Sequence, residues 1–295
     1  MKLVTYDSNG SWRAGIIVDT SVFDVETLLK SDADKVLKPV SSVLELLREY
    51  GGALSDLAQK LTAAAKNNAS AAVGAFEDVR LGAPITEPAK ILCIGLNYND
   101  HVAETGRALP THPDIFAKFA TSLIGPFDEI DCCKITPNLD FEGEMAIVIG
   151  KNCRSVSEED ALDYVAGVTV LNDITARDLQ YRGTQWLAGK AVDGSTPVGP
   201  AIATLDEVGD IQNLNIQTRV NGTQVQSSNT RLMIFPVRHL VSYISQFMSL
   251  APGDIITTGT PQGIGAKRNP PMWLQPGDTV EVELENVGIL RNAVR

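Results

Sequence analysis

Acidic side chains placed alternately at the start of an apolar strand are the feature of this sequence best suited to chemistry. Asp140-Phe141-Glu142-Gly143-Glu144 runs directly into Met145-Ala146-Ile147-Val148-Ile149. Strand side chains alternate between faces, so Glu142 and Glu144 point one way and Gly143 the other. Two carboxylates on one face repel and raise each other's pKa unless a cation or donor lies between them. A second apolar run, Ala166 to Leu171, ends at Asn172-Asp173. If the two runs are neighbours, Asp173 brings a third carboxylate to the same rim. Three oxygen ligands suit Mg²⁺ or Mn²⁺, which keep positions for water and substrate oxygens. The plainer reading is a solvated Glu-x-Glu on an exposed strand face, and spacing alone leaves both open. Zinc is a poorer match, because His101, His112 and His239 include no His-x-x-x-His and the cysteines form no Cys-x-x-Cys.

A second candidate lies in Gly95-Leu96-Asn97-Tyr98-Asn99-Asp100-His101-Val102-Ala103-Glu104. On a short helix His101 and Glu104 are i, i+3 neighbours. A carboxylate there would orient the imidazole and raise its basicity, as a general base needs; the alternative is a satisfied surface histidine. Gly183 to Ala191 is close to a P-loop but has one residue too many, and Ala191 replaces the hydroxyl that would hold Mg²⁺. Nucleotide binding is rejected there, which leaves Lys190 for another role. No Gly-x-Ser-x-Gly elbow and no G-x-G-x-x-G after a strand is present. Thr257 to Gly265 is a glycine-rich loop after a strand; it either holds an anionic group on its amides and hydroxyls or is a plain turn.

The elements that must position these residues are mostly short strands. Leu3–Tyr6 and Ala14–Phe23 read as strands joined by an Asn9-Gly10 turn. Ser41–Arg48 and Leu54–Ala65 read as helices. From Ile91 onward, Ile91–Ile94, Met145–Ile149, Val165–Leu171, Leu214–Val220, Asp254–Thr258 and Thr279–Leu284 read as strands, and Asn221-Gly222 as a hairpin turn. Ser157–Asp163 and Val237–Ser249 read as helices, the first capped by Ser157. The Pro- and Gly-containing stretch from Leu81 to Pro88 marks a boundary. A small N-terminal α/β domain, residues 1–82, then precedes a catalytic domain, residues 83–295. The fold class is α+β and rich in strand.

The chain has 295 residues, enough for a sizeable core, and at 44% hydrophobic and 21% charged it is ordinary globular. Lys and Arg number 25 against 36 Asp and Glu, a formal charge of −11, which argues against nucleic-acid and polybasic membrane contacts. No run of 18 apolar residues occurs. The four cysteines show no disulfide framework and the N-terminus shows no targeting signal, so the expected compartment is reducing and cytoplasmic, with a mitochondrial location as the alternative.

The linear order of the pieces says more than any one of them. Gly-Leu-Asn-Tyr-x-x-His-x-x-Glu (95–104) is followed by Phe116-Ala117-Lys118-Phe119 and Gly125-Pro126. Asp-x-Glu-x-Glu-Met-Ala-Ile-Val-Ile-Gly (140–150) and Asn-Asp-Ile-Thr-Ala-Arg-Asp-Leu-Gln (172–180) come next. Gly189-Lys190, Thr196-Pro197-Val198-Gly199-Pro200 and Thr258-Gly259-Thr260-Pro261 complete the set. This order resembles the fumarylacetoacetate hydrolase family, densely over residues 90–295 and in layout only before that. It is most similar to the two-domain branch of fumarylacetoacetate hydrolase domain-containing proteins. The resemblance implies a β-roll core, a homodimer, and Mg²⁺ or Mn²⁺ on Glu142, Glu144 and Asp173. It also implies catalytic roles for Lys190 and for a water-activating His101–Glu104 dyad. Lys118, Arg177, Gln180 and Thr260 become substrate contacts. Ala191 and Val192 depart from the residues common after the lysine. The implied activity is hydrolysis of a C–C bond in an acylpyruvate or related 2-oxo acid. Oxaloacetate decarboxylation and keto–enol tautomerisation or isomerisation are alternatives on the same site; a 2-oxo sugar-acid dehydratase and an inactive scaffold rank behind them.

Overall fold

A computed structural model describes residues 1–31 and 37–295. The first part comprises strands β1 (Lys2–Ser8), β2 (Ser11–Val18) and β3 (Ser21–Asp24), and helices α1 (Val25–Lys30), α2 (Val43–Tyr50) and α3 (Leu54–Asn67). Strands β4 (Ala72–Ala75), β5 (Leu81–Gly82) and β6 (Ile91–Gly95) follow, then helix α4 (Asn99–Thr105), β7 (Asp114–Lys118), β8 (Leu123–Ile124), β9 (Leu139–Asp140) and β10 (Gly143–Ile149). Next come β11 (Val165–Asn172), β12 (Thr175–Ala176), the single-turn helices α5 (Arg177–Gln180) and α6 (Leu187–Lys190), β13 (Thr196–Thr204) and α7 (Leu205–Val208). The chain ends with β14 (Asn215–Val220), β15 (Thr223–Asn229), α8 (Val237–Phe247), β16 (Ile255–Thr257), β17 (Thr279–Leu284) and β18 (Gly288–Ala293).

The main sheet runs β4-β3-β2-β1-β13-β11-β10-β16-β6-β7, with β5 on β1 and β8 on β13. Its pairs are antiparallel except β16 with β6 and β13 with β8. Because β1 pairs with β13, the first strands continue the sheet that carries the later ones. A second antiparallel sheet runs β15-β14-β17-β18.

Strand β10 lies near the middle and is buried along its whole length. Its alternation divides the core. Ala146 and Val148 pack with the apolar faces of α2 and α3, including Leu46, Leu47 and Leu61. Met145, Ile147 and Ile149 pack with Leu240 and Ile244 of α8 and Val282 of β17. Pleating therefore sends successive β10 side chains into different layers, and a strand covered on both faces needs the near-continuous apolar run seen in its sequence.

Two local expectations are corrected. The stretch Ala14–Phe23 is two strands, because Asp19 takes a left-handed φ of 52° and turns the chain between Val18 and Ser21. Residues Ser157–Asp163 form a turn and then a single 3₁₀ turn at Ala161–Tyr164. There the Ser157 hydroxyl donates to the Asp160 carboxylate at 2.7 Å and accepts from the Asp160 amide at 3.2 Å, and the chain enters β11 at Val165 before a helix can form. Among the described residues no helix is long and apolar enough to cross a membrane.

Gly143, between the two glutamates, faces the second sheet. A Cβ there would overlap Thr218 Oγ1 and lie 2.9 Å from Val282 Cγ1. The Gly143→Ala variant is therefore expected to lose about 1–3 kcal/mol through overpacking. Urea unfolding checks this, and an unchanged midpoint would show that the two sheets can separate at no cost.

Candidate active site

Pairing of β10 with β11 brings the acidic residues together. Gly143 lies opposite Asn172, the Asp173 amide donates to the Glu142 carbonyl at 2.8 Å, and the Glu142 amide donates to Asn172 Oδ1 at 3.0 Å. Glu142, Glu144 and Asp173 each offer a carboxylate oxygen, and these lie within 4.8 Å of one another. All three are buried, as is Asp140.

Three buried cations answer them. Lys190, at the end of α6, donates to Glu142 Oε2 at 2.6 Å and to Asp173 Oδ2 at 2.7 Å. Lys118, at the end of β7, donates to Asp173 Oδ1 at 2.7 Å. Arg177 donates from Nε to Asp140 Oδ2 at 2.8 Å, and its Nη2 lies at ion-pair distance, 2.6 Å, from Glu142 Oε1 without hydrogen-bond alignment. Four buried carboxylates thus face three buried cations, and no side-chain cation bonds to Glu144 among the described residues.

The glycine-rich loop after β16 supplies the remaining donors. The Gly259 amide donates to Glu144 Oε2 at 2.8 Å and the Gly263 amide to Glu104 Oε2 at 3.0 Å. The Gly265 and Ala266 amides donate to Asp140 at 2.7 and 3.0 Å. The anionic groups held by this loop are the protein's own carboxylates.

Charge and burial move the two glutamates apart. Burial opposes ionisation of Glu142, but Lys190 and Arg177, with His101 nearby, outweigh it and hold the carboxyl below the usual range. Glu144 is pushed well above that range by burial and by the charges of Asp173 and Glu142. Lys190 is raised: burial disfavours its charge, and Asp173 and Glu142 more than offset that. A site with an under-compensated carboxylate and an all-oxygen donor set fits a hard divalent cation.

Helix α4 carries the other candidate pair. His101 Nδ1 lies 2.7 Å from Glu104 Oε1, and His101 is buried. With Nδ1–H donated to the carboxylate, Nε2 is the free basic nitrogen. A cavity of about 330 Å³ is lined by His101, Glu142, Glu144, Arg177, Gln180, Lys190 and Thr260, together with Arg107, Trp186, Lys267 and Trp273 among others. Asp173, Lys118 and Glu104 stand behind this wall. The Lys118 ammonium faces Asp173 rather than the cavity, so its geometry suits holding that carboxylate better than touching a substrate.

Two residues of the site escaped sequence reasoning. Asp140 ties Arg177 to the glycine-rich loop, and its place two residues before Glu142 in the same acidic run was the available signal. Gln226 on β15 accepts from the Gly143 amide at 3.0 Å and donates to Thr260 Oγ1 at 2.8 Å. No local pattern marks it, since its partners are distant in sequence.

The residue order and geometry agree with a family comparison: the model described as fumarylacetoacetate (FAA) hydrolase C-terminal matches residues 90–295. The chain belongs to the fumarylacetoacetate hydrolase family. It is 48% identical over 213 residues, 72% of this chain and 68% of the relative, to the mitochondrial oxaloacetate tautomerase Fahd2a of Rattus norvegicus. It resembles the solved fumarylacetoacetate hydrolase of Exiguobacterium antarcticum with a TM-score of 0.84 and 36% identity, covering 100% of this chain and 99% of that one. A maleylpyruvate hydrolase from Sphingobium sp. SYK-6, solved with manganese(II) and pyruvate, matches with a TM-score of 0.78 and 29% identity over 100% and 98% of the chains. The carboxylate cluster of this chain is consistent with a divalent cation such as Mg²⁺ or Mn²⁺. The chain is an enzyme of this family.

Metal-free protein should report the uncompensated charge. A raised Glu144 gives its stabilisation below the unfolded value of about 4.3 and loses it as pH rises; Glu142, lowered, does the reverse. In EDTA, Glu144→Gln is expected to exceed wild type in stability by roughly 1–3 kcal/mol at pH 8, with the gap closing by pH 4. Urea unfolding at the two pH values tests this, and a gap that is constant or reversed would contradict the charge assignment.

Proposed function

We propose that residues 83–295 catalyse hydrolysis of the C–C bond of an acylpyruvate-type 2-oxo acid, with Glu142, Glu144 and Asp173 as the metal ligands. The observation that carries this reading is the dyad: His101 lies on the same cavity wall as the carboxylate cluster, held by Glu104 at 2.7 Å, which is itself held by the Gly263 amide. A tautomer and ring orientation fixed from behind are what a water-activating base requires.

When bound, the divalent cation supplies Lewis acidity at the inner end of the cavity, where negative charge develops. Lys190 and Arg177 add fixed positive charge beside it. The Gln180 amide lines the cavity where its Nε2 can orient the substrate's carboxylate, and the Thr260 hydroxyl, which donates to the Gly143 carbonyl at 3.1 Å, would join it on turning toward the cavity. His101 Nε2 takes a proton from water, whose oxygen adds to the C4 carbonyl. The C3–C4 bond then breaks, releasing a carboxylic acid and pyruvate, and the proton goes to pyruvate C3. Lys118 fixes Asp173 from behind.

The 48% identity to an oxaloacetate tautomerase supports a second reading. Keto–enol interconversion of oxaloacetate uses the same charge stabilisation and proton transfers, without an attacking water. We further propose a homodimer in the cytoplasm; exposed Phe119 and Leu187, which line one surface hollow, offer apolar contacts to a second copy, and the four free cysteines suit a reducing compartment. The name of the rat relative places that protein in mitochondria.

The test is a panel of acetylpyruvate and oxaloacetate with Mn²⁺, Mg²⁺ or EDTA, following pyruvate release and enol absorbance separately. His101→Ala should reduce acetylpyruvate cleavage by about 10²–10⁴-fold while keeping the rise in melting temperature on adding Mn²⁺. Cleavage at the wild-type rate in that variant would remove the dyad from the mechanism. Enol turnover of oxaloacetate with no acetylpyruvate cleavage would replace the first reading by the second.

A further inference from the structure

The His101–Glu104 pair sits between two hollows. His101 lines the large cavity, whereas Glu104 lines a second hollow of about 280 Å³, and the two share no lining residue. Around the second hollow stand Gln224 and Ser227 of β15 and Gln262 of the loop after β16. All three are exposed, and among the described residues their side chains have no hydrogen-bond partner. The Glu104 side chain is 18% exposed against 8% for His101, so solvent reaches the carboxylate from behind. Glu104 therefore has two places to go: onto the imidazole, or back into a polar, solvated hollow.

Gly263 decides between them. Its amide donates to Glu104 Oε2 at 3.0 Å, while Oε1 meets His101 Nδ1 at 2.7 Å. Gly263 has a φ of 105°, and a Cβ there would overlap the Val225 carbonyl oxygen. Only glycine fits, yet glycine is the residue least able to hold its own backbone in one conformation. Arg268 supplies the restraint. Its Nε and Nη2 both donate to the Gly263 carbonyl, at 3.2 and 3.1 Å, and Nη2 also donates to the Val225 carbonyl at 2.6 Å. Arg268 is half-buried and, among the described residues, pairs with no carboxylate. Its guanidinium fastens the glycine-rich loop to β15 through two backbone carbonyls.

We propose that Arg268 is a positioning residue for the dyad: by pinning Gly263 it keeps the Glu104 carboxylate on His101 and out of the hollow behind. The proposal rests on the reading of His101 and Glu104 as the water-activating pair. Without the pin the Gly263 backbone is free to turn and Oε2 loses its donor, so the carboxylate is better served by water in the hollow. His101 then loses the partner that fixes its tautomer. Proton abstraction suffers, whereas substrate binding at the carboxylate cluster does not.

The experiment joins kinetics to proton NMR of the Mg²⁺-loaded protein. The His101 Nδ1 proton, assigned by its absence in His101→Gln, is followed through its exchange with water. Arg268→Gln is expected to lower kcat for acetylpyruvate about 10–100-fold with KM within about twofold. The same variant should speed the exchange at least about tenfold. Arg268→Lys should recover most of both, because Nη2 alone reaches both carbonyls and an ammonium in its place has donors for each. A retained rise in melting temperature on adding Mn²⁺ shows that the variants are folded. Ser227→Lys puts a competing cation in the hollow without touching Arg268 and should also speed the exchange; it decides the question if Arg268→Gln does not fold. Unchanged exchange in folded Arg268→Gln, whatever its kcat, would overturn the pin, as would unchanged exchange in Ser227→Lys if it is the only folded variant. Wild type that cleaves no acetylpyruvate rejects the hydrolase reading, and the exchange measurement still decides whether Arg268 holds the dyad.

Discussion

Four carboxylates within one buried region would repel one another strongly, and the structure is organised around answering that repulsion. An isolated buried carboxylate is tolerated only when paired or well supplied with donors. Here Asp140 and Glu142 share Arg177, Glu142 and Asp173 share Lys190, and Asp173 also holds Lys118. Backbone amides of one loop serve Glu144, Asp140 and, on the far side, Glu104. These contacts come from α4, β7, β9, β10, α5, α6 and the segments after β11 and β16, so charge neutralisation ties together elements far apart in the chain. Among the described residues Glu144 alone of the four is left without a cation, an imbalance that a divalent ion would relieve.

The sheet order serves the same end. Placing β10 between β11 and β16 sets Asp173 and the glycine-rich loop on either side of the Glu142–Glu144 segment. The parallel pairing of β6 with β16 then delivers α4, and with it the dyad, to the same end of the sheet. Strand β10 can hold charged residues at one end because its other residues are anchored in apolar layers on both faces. The rigidity of that core keeps the carboxylates close when their mutual repulsion would separate them.

What the sequence made legible was mostly local. The two-residue period of a strand was enough to put Glu142 and Glu144 on one side with Gly143 facing the second sheet, and the helical spacing of His101 and Glu104 anticipated their contact. Asp173 was reachable only conditionally, because its place depends on β10 pairing with β11, a contact between segments that no local pattern specifies. The loop from Thr257 to Gly265 was read as a turn or an anion cradle; its anions turned out to be side chains from three other segments. Gln226 was invisible for the same reason, since its meaning lies in Gly143 and Thr260 across the fold. The Ser157 segment misled because a good cap and acidic first turn cannot make a helix where β11 begins too soon.

The division of the cavity into a saturated interior and an open rim bears on how one scaffold supports several reactions in this family. Stabilising charge that develops on a 2-oxo acid requires only the inner cluster, whose residues are locked by mutual ion pairs and tolerate little change without leaving a buried charge unpaired. The dyad is held differently, by one short helix and one loop amide. On the hydrolytic reading proposed above, altering it would leave the cluster in place and limit the site to proton transfer. The rim is freer still: Arg107 and Lys267 are exposed and make no ion pair among the described residues, so the fold places little demand on them. Constraint thus falls from the carboxylates outward, and substrate choice can vary where the cost to the fold is least.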